Sequence, residues 1–242
     1  MKRPAVVCHM MGTIDGRIQT ERWSLSPAAE TQYEAVHALH RADAWMCGRQ
    51  TFQGDFLDQP KAGTFSRKAK VPPGDFICHA EPRPGPRQSR PIYAIAVDAY
   101  GKLRWESVNM RGDRLVVLTS RRAPSGYLAD LRAKSISYLI SGPAKINFAS
   151  ALRRLARAFG IRKVLLEGGG SLNGALLAAG LIDEVSLLVC PFADGSRRLP
   201  TVFDAPEAEL GEKATALRLV SLQKRAGGLV WLRYRRAQRR KG

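Results

Sequence analysis

The sequence predicts an α/β fold with a mixed, mostly parallel central sheet and helices on both faces. Short apolar runs alternate with amphipathic helical segments along most of the chain, which is the pattern of such folds. Two of the strand-like runs end at a glycine and a third ends at Thr119-Ser120. Ligands of open α/β sheets bind at such strand ends, so we expect the ligand cleft there.

The strands follow from apolar runs bounded by turn residues. We expect strands at residues 5–10, 43–47, 92–97, 114–119, 137–140, 164–167 and 184–190. Residues 216–222 and 229–234 resemble a closing hairpin across Gly227-Gly228. The run at 164–167 is nearly all apolar, which is typical of a central strand buried on both faces.

Three helices follow from the helical spacing of apolar residues, at 27–41, 148–159 and 172–179. Ser26 and Pro27 form an N-cap and first-turn pair for the first helix. Its predicted apolar stripe consists of Tyr33, Val36, Ala38 and Leu39. Gly180 ends the third helix.

Residues 51–90 are rich in glycine, proline and basic residues, and we expect long loops there. Neither side of this stretch contains a complete sheet. We therefore expect one domain over residues 1–242, with a core at about 5–235 and a basic tail at 236–242.

The net charge of +18 rests on 28 arginines and 11 lysines, against 21 acidic residues. Such a charge suits nucleic acid or small polyanions such as phosphorylated cofactors. The only dense basic cluster is the C-terminal one, and no aromatic-interleaved basic ribbon or zinc-finger spacing occurs. A solvated basic tail explains this cluster, so nucleic acid is not the expected partner.

The composition predicts a soluble cytoplasmic protein. No run of 18 apolar residues occurs, and the N-terminus lacks a convincing signal-peptide cleavage site. Four scattered cysteines form no C-x-x-C pair, which favours reduced, buried thiols over disulfides or a metal site.

The strongest single motif is the glycine-rich turn at residues 167–171. A buried strand leads into Glu167 and the three glycines Gly168, Gly169 and Gly170, and a helix starts at once. This arrangement lets a phosphate approach the backbone and the positive end of the helix. The spacing is not that of G-x-G-x-x-G, and no acidic residue at a second strand end supplies a ribose partner. The alternative is a glycine turn needed only for tight packing of the strand against the helix.

Two further strand ends carry phosphate-binding chemistry. Gly48 is followed by Arg49 and Thr51, where arginine can fork onto a phosphate and threonine can cap a helix or donate to an oxyanion. An ordinary surface charge is the alternative interpretation of Arg49. The hydroxyls and guanidiniums of residues 119–122 would suit an adenosine 2′-phosphate, and hence NADP rather than NAD.

With these motifs, the chain resembles the reductase of riboflavin biosynthesis, the C-terminal half of the bifunctional pyrimidine deaminase/reductase, without the deaminase half. The resemblance runs from about residue 6 to residue 234. Its matching segments are residues 11–18, similar to the family's S-L-D-G-x-I, Trp23 with Ser26-Pro27, residues 39–44, Gly48-Arg49-Gln50-Thr51 with Asp55, Glu167-Gly168-Gly169-Gly170, and residues 180–184 before Pro191. The resemblance implies a dihydrofolate-reductase-like three-layer αβα fold, NADPH as cofactor and a homodimer.

The resemblance also implies roles for individual residues. The cofactor-binding residues would be Met11, Trp23, Gly48, Arg49, Thr51, Asp55, Thr119, Ser120, Arg121, Gly168, Gly169, Gly170, Ser171, Leu172 and Asn173. The substrate-binding residues would be Thr13, Arg41 and Glu167, with Arg41 on the substrate phosphate. The catalytic candidates are Glu167, Asp15 and His9.

Two of these candidates have structural alternatives. Asp15 stands before Gly16 and is equally typical of a turn. His9 stands where many family members carry a lysine; it can contact a phosphate or exchange protons, or it can be a buried histidine satisfied by backbone groups.

The resemblance implies reduction of the ribosyl chain of 5-amino-6-(5-phosphoribosylamino)uracil or of a related diaminopyrimidine phosphate. Two alternatives remain open. One is reduction of dihydrofolate or another pteridine, with Glu30 or Glu34 as the acid on the first helix. The other is a non-enzymatic nucleotide- or nucleic-acid-binding module.

Overall fold

A computed structural model of the chain describes residues 2–57, 65–79, 90–211 and 214–237. The chain forms two compact units. Unit 1 comprises Met1–Pro4 and Ala42–Val164, and unit 2 comprises Ala5–Arg41 and Leu165–Gly242. The single domain expected from the sequence stays a prediction. Arg239, Arg240 and Lys241 of the basic tail lie outside the described residues, as do residues 58–64 and 80–89 of the predicted loop region.

The described residues form ten strands and five α-helical segments. In chain order the strands are β1 (Ala5–Thr13), β2 (Ala44–Gly48), β3 (Tyr93–Val97), β4 (Asn109–Met110), β5 (Asp113–Thr119), β6 (Ser137–Ile140), β7 (Lys163–Leu166), β8 (Glu184–Cys190), β9 (Leu217–Lys224) and β10 (Val230–Arg236). The helices are α1 (Pro27–His40), α2 (Arg49–Thr51), α3 (Ser125–Ala133), α4 (Phe148–Phe159) and α5 (Gly170–Ala178), and α2 continues into a π-helical turn at Phe52–Phe56. Strand β7 spans the boundary between the units.

In unit 1 the strand order is β4-β5-β3-β2, and β6 also pairs with β5. The pairs β2–β3, β3–β5 and β5–β6 are parallel, and the two-residue β4 is antiparallel. The register sets Gly48 beside Val97 and Thr119 beside Ile140. The carboxyl ends of four strands therefore lie at one edge of this unit's sheet.

Helix α4 has the predicted bounds. Ala151, Leu152, Leu155 and Ala156 are buried, while Arg153 and Arg157 are exposed, as the spacing predicts. The side chain of Asn147 caps its first turn by accepting from Ser150 N.

In unit 2 the order is β1-β8-β10-β9. Strands β1 and β8 are parallel, and β10 is antiparallel to both β8 and β9. The predicted hairpin of β9 and β10 is confirmed. Strand β1 is buried from Val6 to Thr13, and its end lies beside the end of β8 because Thr13 is in register with Cys190.

Helix α1 begins at Pro27 as predicted and ends at His40, one residue before the predicted end. Ser26 caps it through a bond from Ala29 N, and Arg41 closes it in the left-handed conformation with φ of 46°. The predicted apolar stripe is partly wrong, since Leu39 is 58% exposed and Ala38 is exposed. The buried positions are Ala29, Val36 and His40, because a histidine rather than a leucine takes the inward position one turn after Val36.

The cysteines are free, and Cys8, Cys47 and Cys190 are buried as expected. Across residues 2–57, 65–79, 90–211 and 214–237, no helix has both the length and the apolar character that crossing a bilayer requires.

Candidate active site

The turn that follows β1 holds Thr13 and Asp15. The Thr13 hydroxyl donates to Asp15 Oδ1 over 2.6 Å, and the backbone N–H groups of Asp194 and Gly195 donate to the same carboxylate over 3.1 and 2.9 Å. These hydrogen bonds hold the pKa of Asp15 well below its usual range, and the bond from Thr13 has the largest effect. Asp15 thus connects the loop after β1 to the loop after β8, as its interpretation as a turn residue predicts. Its catalytic role stays a prediction.

Glu167 follows β7, and its side chain is only 9% exposed. Its Oε1 lies 2.7 Å from Nδ1 of His37, a residue on α1 whose side chain is 31% exposed. The structure therefore adds a histidine that the sequence analysis did not single out. The one available signal was spacing, because His37 stands four residues after Tyr33 and three before His40.

His9 lies within β1 and is 0% exposed. Its Nδ1 contacts the carbonyl oxygen and Oγ of Ser186, its Nε2 lies 3.4 Å from the carbonyl oxygen of Tyr33, and its ring stacks on the Tyr33 ring. Burial lowers the pKa of His9 to about 4, outweighing the attraction of Glu167. This geometry favours a neutral, structural histidine. Proton exchange with a substrate stays a prediction.

Three side chains converge on the buried hydroxyl of Ser186. Its Oγ lies 3.1 Å from His9 Nδ1, 3.0 Å from His40 Nε2 and 2.8 Å from Trp231 Nε1. The indole can only donate, so the hydroxyl donates to one imidazole and accepts from the other. The cluster is satisfied when both histidines are neutral, which agrees with the lowered pKa of His9.

The lowered pKa of His9 predicts a loss of stability in acid. The unfolded chain takes up a proton near pH 6.5 and the folded chain only near pH 4, so stability falls as the pH drops through that window. The expected loss between pH 7 and pH 4.5 is about 2 kcal/mol, because most of the interval between the two pKa values lies above pH 4.5. Urea unfolding at pH 7 and pH 4.5 measures it, and His9→Gln removes this part of the pH dependence. Asp15 does not confound the test because its contribution is lost only below about pH 3.9. An equal pH dependence in the variant would contradict the assignment.

The glycine turn after Glu167 leads into α5 through the N-cap residue Gly169, which has φ of 76° and ψ of 129°. Leu172 N and Asn173 N both donate to the carbonyl oxygen of Gly169. The helix leaves its first N–H groups without intrahelical partners, so those of Gly170 and Ser171 are available to an anion.

Two glycines of this segment are also required by packing. A Cβ on Gly170 would collide with Asp204 Oδ2 and with the carbonyl oxygen of Thr201, and a Cβ on Gly174 would collide with the backbone of Asp204 and Ala205. The packing alternative left open by the sequence therefore accounts for these two positions, and the anion-binding interpretation rests on the turn conformation of Gly169.

The other predicted cofactor residues of unit 2 differ in exposure. Asn173 is buried and donates to the carbonyl oxygen of Val202 over 2.9 Å, whereas Ser171 is exposed. Met11 belongs to the hydrophobic core. Trp23 stacks on Phe192 with ring centroids 6.1 Å apart, and within the described residues its buried indole N–H has no acceptor.

In unit 1, Gly48 is the N-cap of α2 and Thr51 is the last residue of that helix, so Thr51 does not cap it. Arg49 donates to Gln53 Oε1 over 2.7 Å. Asp55 is exposed in the π-helical turn. The predicted helical character after Gly48 is confirmed, but whether these residues bind a cofactor stays a prediction.

The hydroxyls at the end of β5 face the backbone. Thr119 Oγ1 donates to the carbonyl oxygen of Asp98 over 2.9 Å, and Ser120 Oγ donates to that of Ala99 over 2.6 Å. Since each hydroxyl has one proton to donate, the donors left for a phosphate at this edge are the exposed guanidiniums of Arg121 and Arg122.

Asp98 is an acidic residue that directly follows β3, although the sequence analysis found none at a second strand end. It is 1% exposed and accepts from Lys102 N and Leu103 N over 2.7 and 2.8 Å. Burial raises the pKa of Asp98, which these N–H donors partly offset. Its role is to hold the loop after β3, which explains why it does not act as an exposed ribose partner.

Charged residues outside these strand ends bear on the two alternative functions, pteridine reduction and the binding of a nucleotide or nucleic acid. Glu30 and Glu34 are exposed on α1. Arg233 and Arg235 pair with the buried Glu184, so these members of the basic cluster are engaged within unit 2. No group of three or more His, Cys, Asp or Glu side chains in the described part of the chain is arranged to hold a metal ion.

Comparison with known proteins identifies the family. Residues 4–231 match the family described as RibD C-terminal domain. The chain belongs to this family. A relative named 2,5-diamino-6-ribosylamino-4(3H)-pyrimidinone 5′-phosphate reductase, from Methanothermobacter thermautotrophicus, is 29% identical over 219 residues, which cover 90% of each chain. The resemblance predicted from the sequence is confirmed.

Solved structures of similar proteins show the same fold as this RibD C-terminal domain chain. A pyrimidine reductase-like protein from Corynebacterium diphtheriae aligns with a TM-score of 0.67 at 14% identity, covering 97% of this chain and 92% of the other. The riboflavin biosynthesis reductase Rib7 of Saccharomyces cerevisiae aligns with a TM-score of 0.60 at 17% identity, covering 97% and 90%. The predicted fold class is confirmed.

Proposed function

We propose that the chain is an NADPH-dependent reductase of riboflavin biosynthesis that reduces the ribosyl chain of a phosphorylated aminopyrimidine. One observation carries the proposal: the nine-tenths-buried carboxylate of Glu167, held by His37, stands directly before the glycine turn at the start of α5. A fixed carboxylate can stabilise positive charge on a substrate, and a helix start can hold a phosphate. The family and its relatives named as reductases support the proposal.

The residues present fit NADPH. Gly169 has a positive φ of 76°, and the N–H groups of Gly170 and Ser171 belong to the first turn of α5, where a helix can hold a pyrophosphate. Among the described residues, the buried indole N–H of Trp23 has no acceptor, and Arg121 and Arg122 are exposed cations of the kind that bind a 2′-phosphate. We propose that the start of α5 binds the pyrophosphate. When bound, NADPH would supply the hydride.

The chemistry divides into ring opening and reduction. In the first, the bond between C1′ and the ring oxygen breaks, the oxygen takes a proton, and C1′ becomes double-bonded to the amine nitrogen as an iminium. In the second, C1′ accepts a hydride and becomes the CH₂ of a ribityl amine. Glu167 would stabilise the iminium charge, and Arg41 would hold the substrate phosphate. The net reaction consumes one NADPH and one proton.

Arg41 offers a test of substrate binding. Its side chain is exposed and its backbone has the left-handed conformation. Arg41→Asn therefore removes the charge and introduces a residue that tolerates this conformation. We expect KM for the phosphorylated substrate to rise about 10- to 100-fold, the range for losing a charged hydrogen bond, with little change in kcat. Steady-state kinetics measure it. The matched control is Arg111→Asn, which changes a left-handed arginine in unit 1 and should leave KM unchanged. A KM equal to wild type in Arg41→Asn would contradict the role.

The proposed function is tested by following NADPH absorbance with three substrates. We expect turnover with 5-amino-6-(5-phosphoribosylamino)uracil or with its 2,5-diamino-pyrimidinone counterpart, and none with dihydrofolate. The exposed position of Glu30 and Glu34 disfavours the pteridine reaction. Turnover on dihydrofolate alone would overturn the proposal. Comparing the two pyrimidines identifies the preferred one.

We also propose a homodimer in the cytoplasm. Strand β9 pairs only with β10 in the described part of the chain, and it exposes apolar side chains. These are Leu217, Leu219, Val220 and Leu222. A long apolar edge strand is normally covered, and a second copy of the chain would do so. The free cysteines agree with a reducing compartment.

A further inference from the structure

The contact between His37 and Glu167 joins two segments that lie 130 residues apart in the chain. His37 stands on α1, and Glu167 stands between β7 and the glycine turn. The 2.7 Å distance is that of a charge-assisted hydrogen bond. It uses Oε1 of the carboxylate, so the bond fixes the plane of the carboxyl group and the direction in which Oε2 points.

Strand β1 contributes two titratable groups close enough to Glu167 to respond to its charge, Cys8 and His9. On α1, His40 lies beside His9, with ring centroids 5.4 Å apart. Burial raises the pKa of Cys8 and lowers that of His9, so both are neutral at neutral pH. Both respond to the charge of Glu167, which shows that the carboxylate acts on the interior of unit 2.

His37 differs from these buried neighbours because its side chain is 31% exposed while it donates to a carboxylate. The carboxylate can only accept, so Nδ1 of His37 donates and the contact holds the imidazole and the carboxyl group in one relative orientation. The buried His9, in contrast, contacts Ser186 and Tyr33.

We propose that His37 is a positioning residue for the reductase reaction. It orients the Glu167 carboxylate toward the substrate carbon that accepts the hydride. This inference rests on the proposed function, because it assigns Glu167 to the substrate.

Kinetics of three variants test the inference in the intact protein with NADPH and the aminopyrimidine ribosyl phosphate. His37→Ala removes the donor and should lower kcat about 10- to 100-fold, the range for a misplaced catalytic group, with KM and the Kd for NADPH within about 3-fold of wild type. His37→Asn retains a neutral donor and should recover most of kcat. His79→Ala, which changes an exposed histidine of unit 1, should leave all constants unchanged.

The outcomes distinguish a failure of the positioning role of His37 from a failure of the proposed function. Wild-type kcat in His37→Ala, or equal losses in the Ala and Asn variants, would overturn the positioning role. Absence of wild-type turnover on both pyrimidines would instead overturn the proposed function, and the role of His37 with it.

Discussion

Replacing Gly170 with alanine lowers the free energy of unfolding by about 2–4 kcal/mol, a large effect for one methyl group. The added Cβ would collide with Asp204 Oδ2 and the carbonyl oxygen of Thr201. The Asp204 carboxylate cannot simply move away, because it accepts from Thr201 N over 2.9 Å and from the Thr201 hydroxyl. The backbone is fixed as well, since Asp204 N donates to the carbonyl oxygen of Gly170. Urea unfolding measures the change.

The neighbouring residue provides the control for this variant. Ser171 is exposed on the first turn of the same helix, so Ser171→Ala should stay within about 0.5 kcal/mol of wild type. A Gly170→Ala protein as stable as wild type would show that the segment at 201–205 does not pack on the start of α5. This test separates the packing role of the glycine from phosphate binding, because it needs no cofactor.

Glu167→Gln is expected to lower kcat about 10²- to 10³-fold, which is the cost of removing one preorganised electrostatic group from an active site. The amide keeps the shape of the side chain and can still accept a bond from His37, but it lacks the charge that would stabilise the iminium. KM and NADPH affinity should change little, since the loss concerns the transition state. Steady-state kinetics and NADPH titration measure these quantities.

The control for this variant is Glu207→Gln, which changes an exposed carboxylate of the same unit and should leave kcat unchanged. Unfolding in urea should confirm that Glu167→Gln is folded. A folded Glu167→Gln enzyme with wild-type kcat would remove Glu167 from the reaction.

The sequence predicted most of the secondary structure because periodicity and turn residues are local signals. Strands β6 and β8 and helix α4 have the predicted bounds. Helix α3 was missed because only Tyr127 and Leu131 are buried on it and its N-cap, Pro124, provides no side-chain bond. Leu39 was assigned to the core because hydrophobicity alone cannot tell that His40 would occupy the inward position through its bond to Ser186.

The candidate site was predicted less completely, since its contacts are distant in sequence. Glu167 was identified from its position before the glycine turn, but its partner His37 lies 130 residues earlier and carries no motif of its own. The sequence predicts that the hydroxyls of Thr119 and Ser120 donate to a phosphate. In the structure they donate instead to carbonyl oxygens after β3. Residue type suggested the chemistry at both places, and only the fold showed where each donor points.

Transfer of deuterium from NADPH labelled at C4 of the nicotinamide tests whether the chain reduces the ribosyl chain of its substrate. After reaction with the aminopyrimidine ribosyl phosphate, we expect one deuterium at C1′ of a ribityl amine, seen by mass spectrometry and NMR, when the label is on the face that the enzyme uses. Labelling each face in turn covers both possibilities. A product without deuterium from either labelled cofactor, or with deuterium on the pyrimidine ring, would contradict reduction of the ribosyl chain.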